Sequence, residues 1–173
     1  MINEASDWVK FCVNDVIKLA SNKIALDLAC GIGRNSIYLA KKGYKVISVD
    51  INSMSLSKFY QNNVYKIQSD IENLGRWPFK NNIFDIVIVT NILNRLIFSK
   101  IESVIKQNGY LVYETFGLGH EKLGRPKNKN YLLNKGELLK LTKCMNMIYY
   151  EELKVINKEK QFIKHRILCR NVR

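Results

Sequence analysis

Two apolar runs joined by a glycine turn and a short amphipathic stretch, residues 23–52, constrain this chain more than any other segment. They read Lys-Ile-Ala-Leu-Asp-Leu-Ala-Cys-Gly-Ile-Gly-Arg-Asn-Ser, with a second run closing on Val49 and Asp50. Residues 24–29 are expected to form a buried strand, 30–33 a tight glycine turn and 45–50 a second strand. Between them, Ile37, Leu39 and Ala40 within residues 35–42 have the spacing of a helix packed on a sheet. The succession is one βαβ unit, the architecture in which a nucleotide-bearing ligand lies across the carboxyl ends of the strands.

A chain of 173 residues with 47% hydrophobic content can bury one good core. A single domain over residues 1–173 is expected, with a leading helix in 1–22, a core carrying the glycine turn in 23–115, and a loop, helix and closing hairpin in 116–173. No apolar run approaches the roughly 20 residues that span a bilayer, so no membrane association is expected. The N-terminus lacks the basic, apolar and small-residue succession of a secretory signal, which makes a cytoplasmic location the expectation. Cys12, Cys30, Cys144 and Cys169 are far apart, with no Cys-x-x-Cys pair and no neighbouring histidine, so reduced thiols are expected and no metal site.

The formal charge of +13 makes nucleic acid a candidate partner, because lysine and arginine neutralising phosphates supply most non-specific affinity. A biased composition accounts for it as well. The cations are mostly lysines spread among asparagine and isoleucine, and apart from a loosely basic tail at 158–173 no basic run interleaves with aromatics.

Ser6 and Asp7 have the character of a helix cap, and Trp8, Val9, Cys12, Val13, Val16, Ile17 and Ala20 share one helical face. This helix is expected to cover an edge or end of the sheet; the alternative is a lid with Trp8 near the ligand. Residues 21–23 lead directly into the first strand. Residues 53–60 have weak helical character, 64–68 a short strand, 75–79 a loop, and 84–90 a continuous apolar strand buried on both faces. Residues 95–106 fit a helix with Leu96, Ile97, Ile101, Val104 and Ile105 inward, followed by a fifth strand at 109–115. Residues 117–130 are too polar and glycine-rich for regular structure. A helix at 136–142 and an antiparallel pair at 146–156 and 161–169 close the chain. The sum is an α/β, Rossmann-like, mostly parallel sheet with a C-terminal antiparallel hairpin.

In a dinucleotide fingerprint, a glycine at a third position lets the helix pack close under a pyrophosphate; here Ser36 holds that place. Asp27 lies inside the first strand, four residues before Gly31. Such a turn suits a cofactor that passes over it as a sulfonium amino acid and not as a diphosphate. S-adenosylmethionine is of that kind, and a nicotinamide oxidoreductase is disfavoured by Ser36.

Asp27, Leu28, Ala29, Cys30, Gly31, Ile32 and Gly33 resemble the first motif of class I S-adenosylmethionine-dependent methyltransferases, with Ala29 where a glycine is commoner. The resemblance implies that family's sandwich fold and S-adenosyl-L-methionine as cofactor, bound through Asp27, Ala29, Cys30, Gly31 and Gly33. It also implies that Asp50 holds both ribose hydroxyls, which one carboxylate can accept together. Ile51 is then expected at the adenine face, Asp70 and Ile71 at its edge, and Asn91 at the methionine end near the methyl group. Singly, Asp27 is equally a turn cap, Asp50 a solvated strand end and Asp70 a helix N-cap; together, acids at three successive strand ends favour the cofactor.

The likeness extends through Ser6-Asp7-Trp8-Val9, Asp70-Ile71-Glu72, Trp77-Pro78, residues 91–98, Tyr113-Glu114-Thr115-Phe116, and residues 124–128, 132–133 and 136–139. Across them the chain is similar to a small bacterial group of uncharacterised class I methyltransferases and, more distantly, to tellurite-resistance-type methyltransferases. That group carries a tyrosine and a histidine after the fourth strand, where this chain has Ile92 and Asn94. The most obvious general base is thereby removed.

Methyl transfer is an in-line displacement in which alignment supplies much of the acceleration, and a base is needed only when the acceptor must lose its proton early. No catalytic residue is assigned; the acceptor-side candidates are Glu114, Arg125, Tyr131 and His120. Glu114 points either into the pocket or into a buried pair with Arg95 or Arg125. His120 is expected to be solvated, and Arg125 either braces its loop or clamps an anionic acceptor. Asn91-Ile92-Leu93-Asn94 is no Asn/Asp-Pro-Pro-aromatic motif, which argues against transfer to an exocyclic base amine. The expected function is methyl transfer to a small or anionic acceptor entering beside residues 117–130. RNA methylation and a non-catalytic cofactor-binding subunit are the alternatives.

Overall fold

The computed structural model describes residues 4–17, 23–73, 75, 77–157 and 160–173. The expectations for Ala20, Ser21, Asn22, Arg76 and Lys158 lie outside these residues.

Among the described residues seven strands build one sheet: β1 (Ile24–Leu28), β2 (Lys45–Asp50), β3 (Val64–Gln68), β4 (Phe84–Thr90), β5 (Ile105–Phe116), β6 (Asn146–Asn157) and β7 (Lys160–Arg170). Their order across the sheet is β3-β2-β1-β4-β5-β7-β6. Pairing is parallel from β3 through β5, and β7 inserts antiparallel between β5 and β6. This is the Rossmann-like sheet with a closing hairpin that the sequence predicts. Its helices are α1 (Asp7–Phe11), α2 (Arg34–Lys41), α3 (Ser53–Ser57), α4 (Phe98–Val104) and α5 (Glu137–Leu141).

Strand β4 is apolar throughout its centre because alternate side chains enter different layers. Ile86 and Ile88 pack with Trp8, Val9 and Leu39 on one face. Val87 and Val89 pack with Phe98, Ile101 and Leu111 on the other. Each side chain buried this way contributes about 1.5–3 kcal/mol, so the central strands hold both layers to the sheet.

The ends of elements differ from the periodicity where tertiary contacts or tighter turns intervene. Helix α1 passes into a π-helical turn at Cys12–Val16 and stops at Ile17, which is extended. Ser6 makes no cap; its hydroxyl donates to Glu114 (3.0 Å) and its amide to Asn35 (3.0 Å). Trp8 is buried in the layer on the sheet, so the helix covers the sheet. Residues Arg95–Ile97 form a 3-10 turn before α4. Three residues per turn advance the phase faster than an α-helix, and Leu96, expected inward, is 71% exposed. Ile105, expected on that helix, instead opens β5, whose register against β4 jumps between Ile105 and Tyr110. The segment at 117–130 is irregular apart from the 3-10 turn His120–Lys122 and the start of a second, Lys129–Tyr131.

Candidate cofactor and acceptor site

The strand order reverses between β1 and β4, and the crevice outside their carboxyl ends is the natural ligand position in such a sheet. A cavity of about 530 Å³ opens there. Its wall is the turn after β1 (Ala29, Cys30, Gly31, Ile32), Arg34 at the start of α2, and Thr90, Asn91 and Ile92 at the end of β4.

The turn curls because Ala29 (φ 54°), Gly31 (φ 56°) and Gly33 (φ 74°) are all left-handed. A Cβ on Gly31 would meet nothing within 4 Å, whereas one on Gly33 would lie 2.3 Å from the Phe59 ring. Gly33 is thus required by packing as well as by its backbone. Asp50 ties β2 to the turn: one carboxylate oxygen accepts the Gly31 N–H (2.7 Å), the other the Asn52 N–H (2.9 Å). Each oxygen keeps a second lone pair. Ile51 beside it is 62% exposed. Asp70 is exposed and accepts the Glu72 N–H (3.0 Å). The Ile71 side chain is buried in the core with Leu26 and Leu28, so only its main chain is left to face a ligand. Asn91 is left-handed (φ 64°), donates its N–H to the Glu114 carbonyl (2.8 Å), and accepts a hydrogen bond from Lys164 Nζ on its side-chain oxygen.

Asp27 lies off this wall. It is buried and accepts the Ser36 hydroxyl (2.6 Å), which in turn accepts that of Ser48 (2.7 Å). Its second oxygen, Oδ1, is buried with no partner. Burial pushes its carboxyl up to about 6, against the opposing Ser36 hydrogen bond. Ser36 stands where a dinucleotide fold has glycine because its hydroxyl bonds Asp27.

A second cavity, of about 570 Å³, adjoins the first; Arg34 and Asn91 line both. Its wall includes Ser6 and Asp7 from the N-terminal segment, Glu114 and Phe116 from β5, and Phe162, Lys164 and Arg166 from β7. In the β5/β7 register Glu114 faces Arg166 and Phe116 faces Lys164. Glu114 is 3% exposed and accepts from Arg166 Nε (2.6 Å) and the Ser6 hydroxyl, with Lys164 Nζ at 3.7 Å. Burial pushes its carboxyl up, but Lys164, Arg166 and the hydrogen bonds together hold it below the usual glutamate range. The Lys164 ammonium sits 3.7 Å over the Phe116 ring. Burial lowers its pKa to about 8, with Glu114 opposing and Arg34 and Arg166 adding to the fall.

Glu114 therefore meets both expectations at once, lining a cavity and forming a buried pair, but its partners are Arg166 and Lys164. Arg95 instead binds Glu137 (2.5 Å) and the Asn130 and Leu132 carbonyls. His120 is not solvated: it is 2% exposed and stacks on Phe116 (4.2 Å) and Phe162 (5.8 Å). Its Nδ1 accepts the Ile163 N–H (3.4 Å), which leaves the proton on Nε2 for the Arg125 carbonyl (3.0 Å). Burial lowers its pKa, in keeping with a neutral ring. Sequence reasoning placed it by the polarity of its loop and missed the aromatic pair across the hairpin. Arg125 and Tyr131 are exposed and lie on neither cavity wall.

The residues missed were Lys164, Arg166, Arg34 and Ser6. A signal existed: Lys164 and Arg166 are cations two apart in a strand that continues Ile167-Leu168, and period two puts both on one face. They belong to the tail read above as loosely basic. All four cysteines are free thiols. Among the described residues no group of three His, Cys, Asp or Glu side chains suits a metal, and no helix is long and apolar enough to cross a membrane.

The strand order, the hairpin and the crevice are those of the class I S-adenosylmethionine-dependent methyltransferase fold. Residues 19–165 match the methyltransferase domain family, and the chain belongs to it. It is 33% identical over 99 residues to an uncharacterised protein of Methanocaldococcus jannaschii, covering 55% of this chain and 42% of that one. It is 32% identical over 97 residues to the probable S-adenosyl-L-methionine-dependent methyltransferase TehB of Haemophilus influenzae, covering 54% of this chain and 34% of that one. The matched stretch thus spans less than half of either relative. In fold, the chain is similar to the crystal structure of H. influenzae TehB, with a TM-score of 0.74 and 21% identity over 95% of this chain and 61% of that one. It also resembles Haemonchus contortus phosphoethanolamine N-methyltransferase 2, solved with phosphomonomethylethanolamine and S-adenosylhomocysteine (TM-score 0.74, 14% identity, 95% of this chain and 52% of that one).

Proposed function

We propose that this chain binds S-adenosyl-L-methionine in the crevice at β1 and β4 and transfers its methyl group to a small-molecule acceptor held in the adjoining cavity. The observation that carries this reading is the pair of cavities joined at Arg34 and Asn91, one under the glycine turn and one between β5, β7 and the N-terminal segment.

The residues fit the cofactor's chemistry. Asp27 Oδ1, a buried carboxylate oxygen without a partner just before the turn, favours a cationic ligand nearby. Asp50 has lone pairs left for two ribose hydroxyls, and exposed Ile51 offers an apolar face to adenine. The free oxygen of Asp70 and the main chain of Ile71 serve the adenine edge. Ala29, Cys30 and Gly31 bring main chain close to the methionine portion, Gly33 shapes the turn from behind against Phe59, and Asn91 stands at the seam toward the acceptor. S-adenosylmethionine supplies a methyl group carried on a sulfonium sulfur. The protein's own contribution is alignment and exclusion of water. Glu114 is held ionised by Arg166 and Lys164, and His120 is occupied by main-chain partners, so neither is assigned as a base. The free thiols accord with a reducing, cytoplasmic setting.

Calorimetric titration with S-adenosylmethionine and S-adenosylhomocysteine tests the cofactor half, with binding expected for the parent chain and lost in Asp50→Ala. No binding to the parent ends the proposal. Formation of S-adenosylhomocysteine across a panel of acceptors separates an enzyme from a non-catalytic cofactor-binding subunit, for which binding without turnover is the outcome.

A further inference from the structure

The wall of the second cavity carries four cations, Arg34, Lys160, Lys164 and Arg166, and three carboxylates, Glu4, Asp7 and Glu114. Glu4 and Asp7 both reach Lys10 (2.7 and 3.5 Å). Arg166 is engaged by Glu114 (2.6 Å) and by Glu151 (3.1 Å). On this wall Glu114 is a buried carboxylate shared by buried Lys164 and half-buried Arg166, and its shorter contact goes to Arg166. Lys164, with a side chain only 9% exposed, has Glu114 at 3.7 Å, the Asn91 side-chain oxygen and the Phe116 ring face as neighbours. All three are acceptors, the arrangement of an ammonium and not of a free amine. Arg34 approaches from α2 and shares the seam, its Nη1 on the Glu4 carbonyl (3.4 Å). The same cavity has an apolar side in Phe116, Phe162 and Val155.

We propose that Lys164 and Arg34 form an anion-binding subsite at the seam of the two cavities, and that the acceptor is an organic anion whose carboxylate or phosphate lies there and whose apolar body packs on Phe116 and Phe162. The inference rests on the reading that the second cavity takes the acceptor. Arg34 and Arg166 bear on Lys164 with like charge while burial strips its hydration, and Glu114, which Lys164 shares with Arg166, only partly offsets this. An incoming anion relieves both costs, whereas a cationic amine adds to them. The groups facing Lys164 are Glu114 and Phe116 on β5, Arg166 on its own strand, Arg34 on α2, Asn91 after β4, and neutral His120 behind Phe116.

Calorimetry on the full chain saturated with S-adenosylhomocysteine tests it, using phenyl phosphate, phenylacetate, neutral 2-phenylethanol and cationic phenethylamine as probes. Both anions are expected to bind at least roughly tenfold tighter than the alcohol, the scale of one charge-assisted hydrogen bond. Whichever anion binds tighter identifies phosphate or carboxylate as the group read. Lys164→Met is expected to remove that preference while leaving affinity for the alcohol unchanged. The parent is expected to lose anion affinity above about pH 8, and Lys164→Arg is expected to keep the preference and to abolish that fall. Arg34→Met, on the less buried member, provides the same loss if Lys164→Met does not fold, read once titration has shown that variant to be saturated with S-adenosylhomocysteine. Equal binding of all four probes, or undiminished anion binding in both methionine variants, overturns the subsite and leaves the cofactor reading standing. Anion binding with no S-adenosylhomocysteine binding sinks the cofactor reading instead and supports the subsite.

Discussion

Glu114 and Arg166 stand opposite one another in the β5/β7 register and close a 2.6 Å ion pair on the wall of the second cavity. The pair joins the last parallel strand to the antiparallel hairpin, and Ser6 adds the N-terminal segment to the same carboxylate. Removing the carboxylate leaves Lys164 buried without its ion-pair partner beside the like charge of Arg166, which keeps only Glu151. Glu114→Ala is therefore expected to destabilise the fold by about 3–5 kcal/mol. Urea denaturation is the measurement, and a change below about 1 kcal/mol would contradict this account.

Lys164 gives stability a signature in alkali. Its folded pKa, near 8, lies below the ordinary 10.5. Between those values the unfolded chain binds the proton and the folded chain does not, so this group makes stability rise with pH across that window. Below about pH 8 both states are protonated and the contribution is flat. Denaturation of the parent and of Lys164→Met near pH 7 and near pH 10 is expected to show the parent gaining relative to the variant.

Asp27 has the opposite sense. Its carboxyl is raised from 3.8 to about 6 by burial. Between those values the folded chain holds a proton that the unfolded chain has lost, so this group lowers stability as pH rises through the window and leaves the full cost in place above it. Asp27→Asn is expected to gain on the parent by on the order of 3 kcal/mol from pH 4 to pH 7. The same change removes the buried negative charge beside the turn, and weaker S-adenosylmethionine binding is expected in the same protein.

Ala29 holds a left-handed conformation (φ 54°) at a cost of about 1–2 kcal/mol for a residue with a Cβ. Glycine removes that strain and returns about 0.5–1 kcal/mol of it as unfolded-state entropy. Ala29→Gly is expected to raise the urea midpoint by a net gain of about 0.5–1 kcal/mol with an unchanged slope. A lower midpoint would mean that the alanine methyl packs usefully on the cavity wall.

The core strands were legible because their signals are local. Ile24 to Leu28, Lys45 to Asp50 and Phe84 to Thr90 announce themselves as apolar runs next to turn residues, and the observed β1, β2 and β4 match within a residue. Leu96 and Ile105 were placed on the wrong side or in the wrong element because a 3-10 turn and a register jump shift the phase that periodicity reads. His120 was misread for a different reason: local polarity says nothing about Phe116 and Phe162, which meet it only across the hairpin.

The sequence by itself determined the strand succession, the glycine turn, and Asp27, Asp50, Asp70 and Asn91 near successive strand ends, since each is fixed by composition within a few residues. Only the tertiary structure decided what surrounds the second cavity. Ser6, Arg34, Glu114 and Lys164 are separated by up to 158 positions in the chain, and they become neighbours because β7 inserts beside β5 and the N-terminal segment folds over both. Long-range pairing of this kind leaves no periodic trace, so the charge that reads as a basic tail in sequence becomes a buried ammonium beside a carboxylate in the fold.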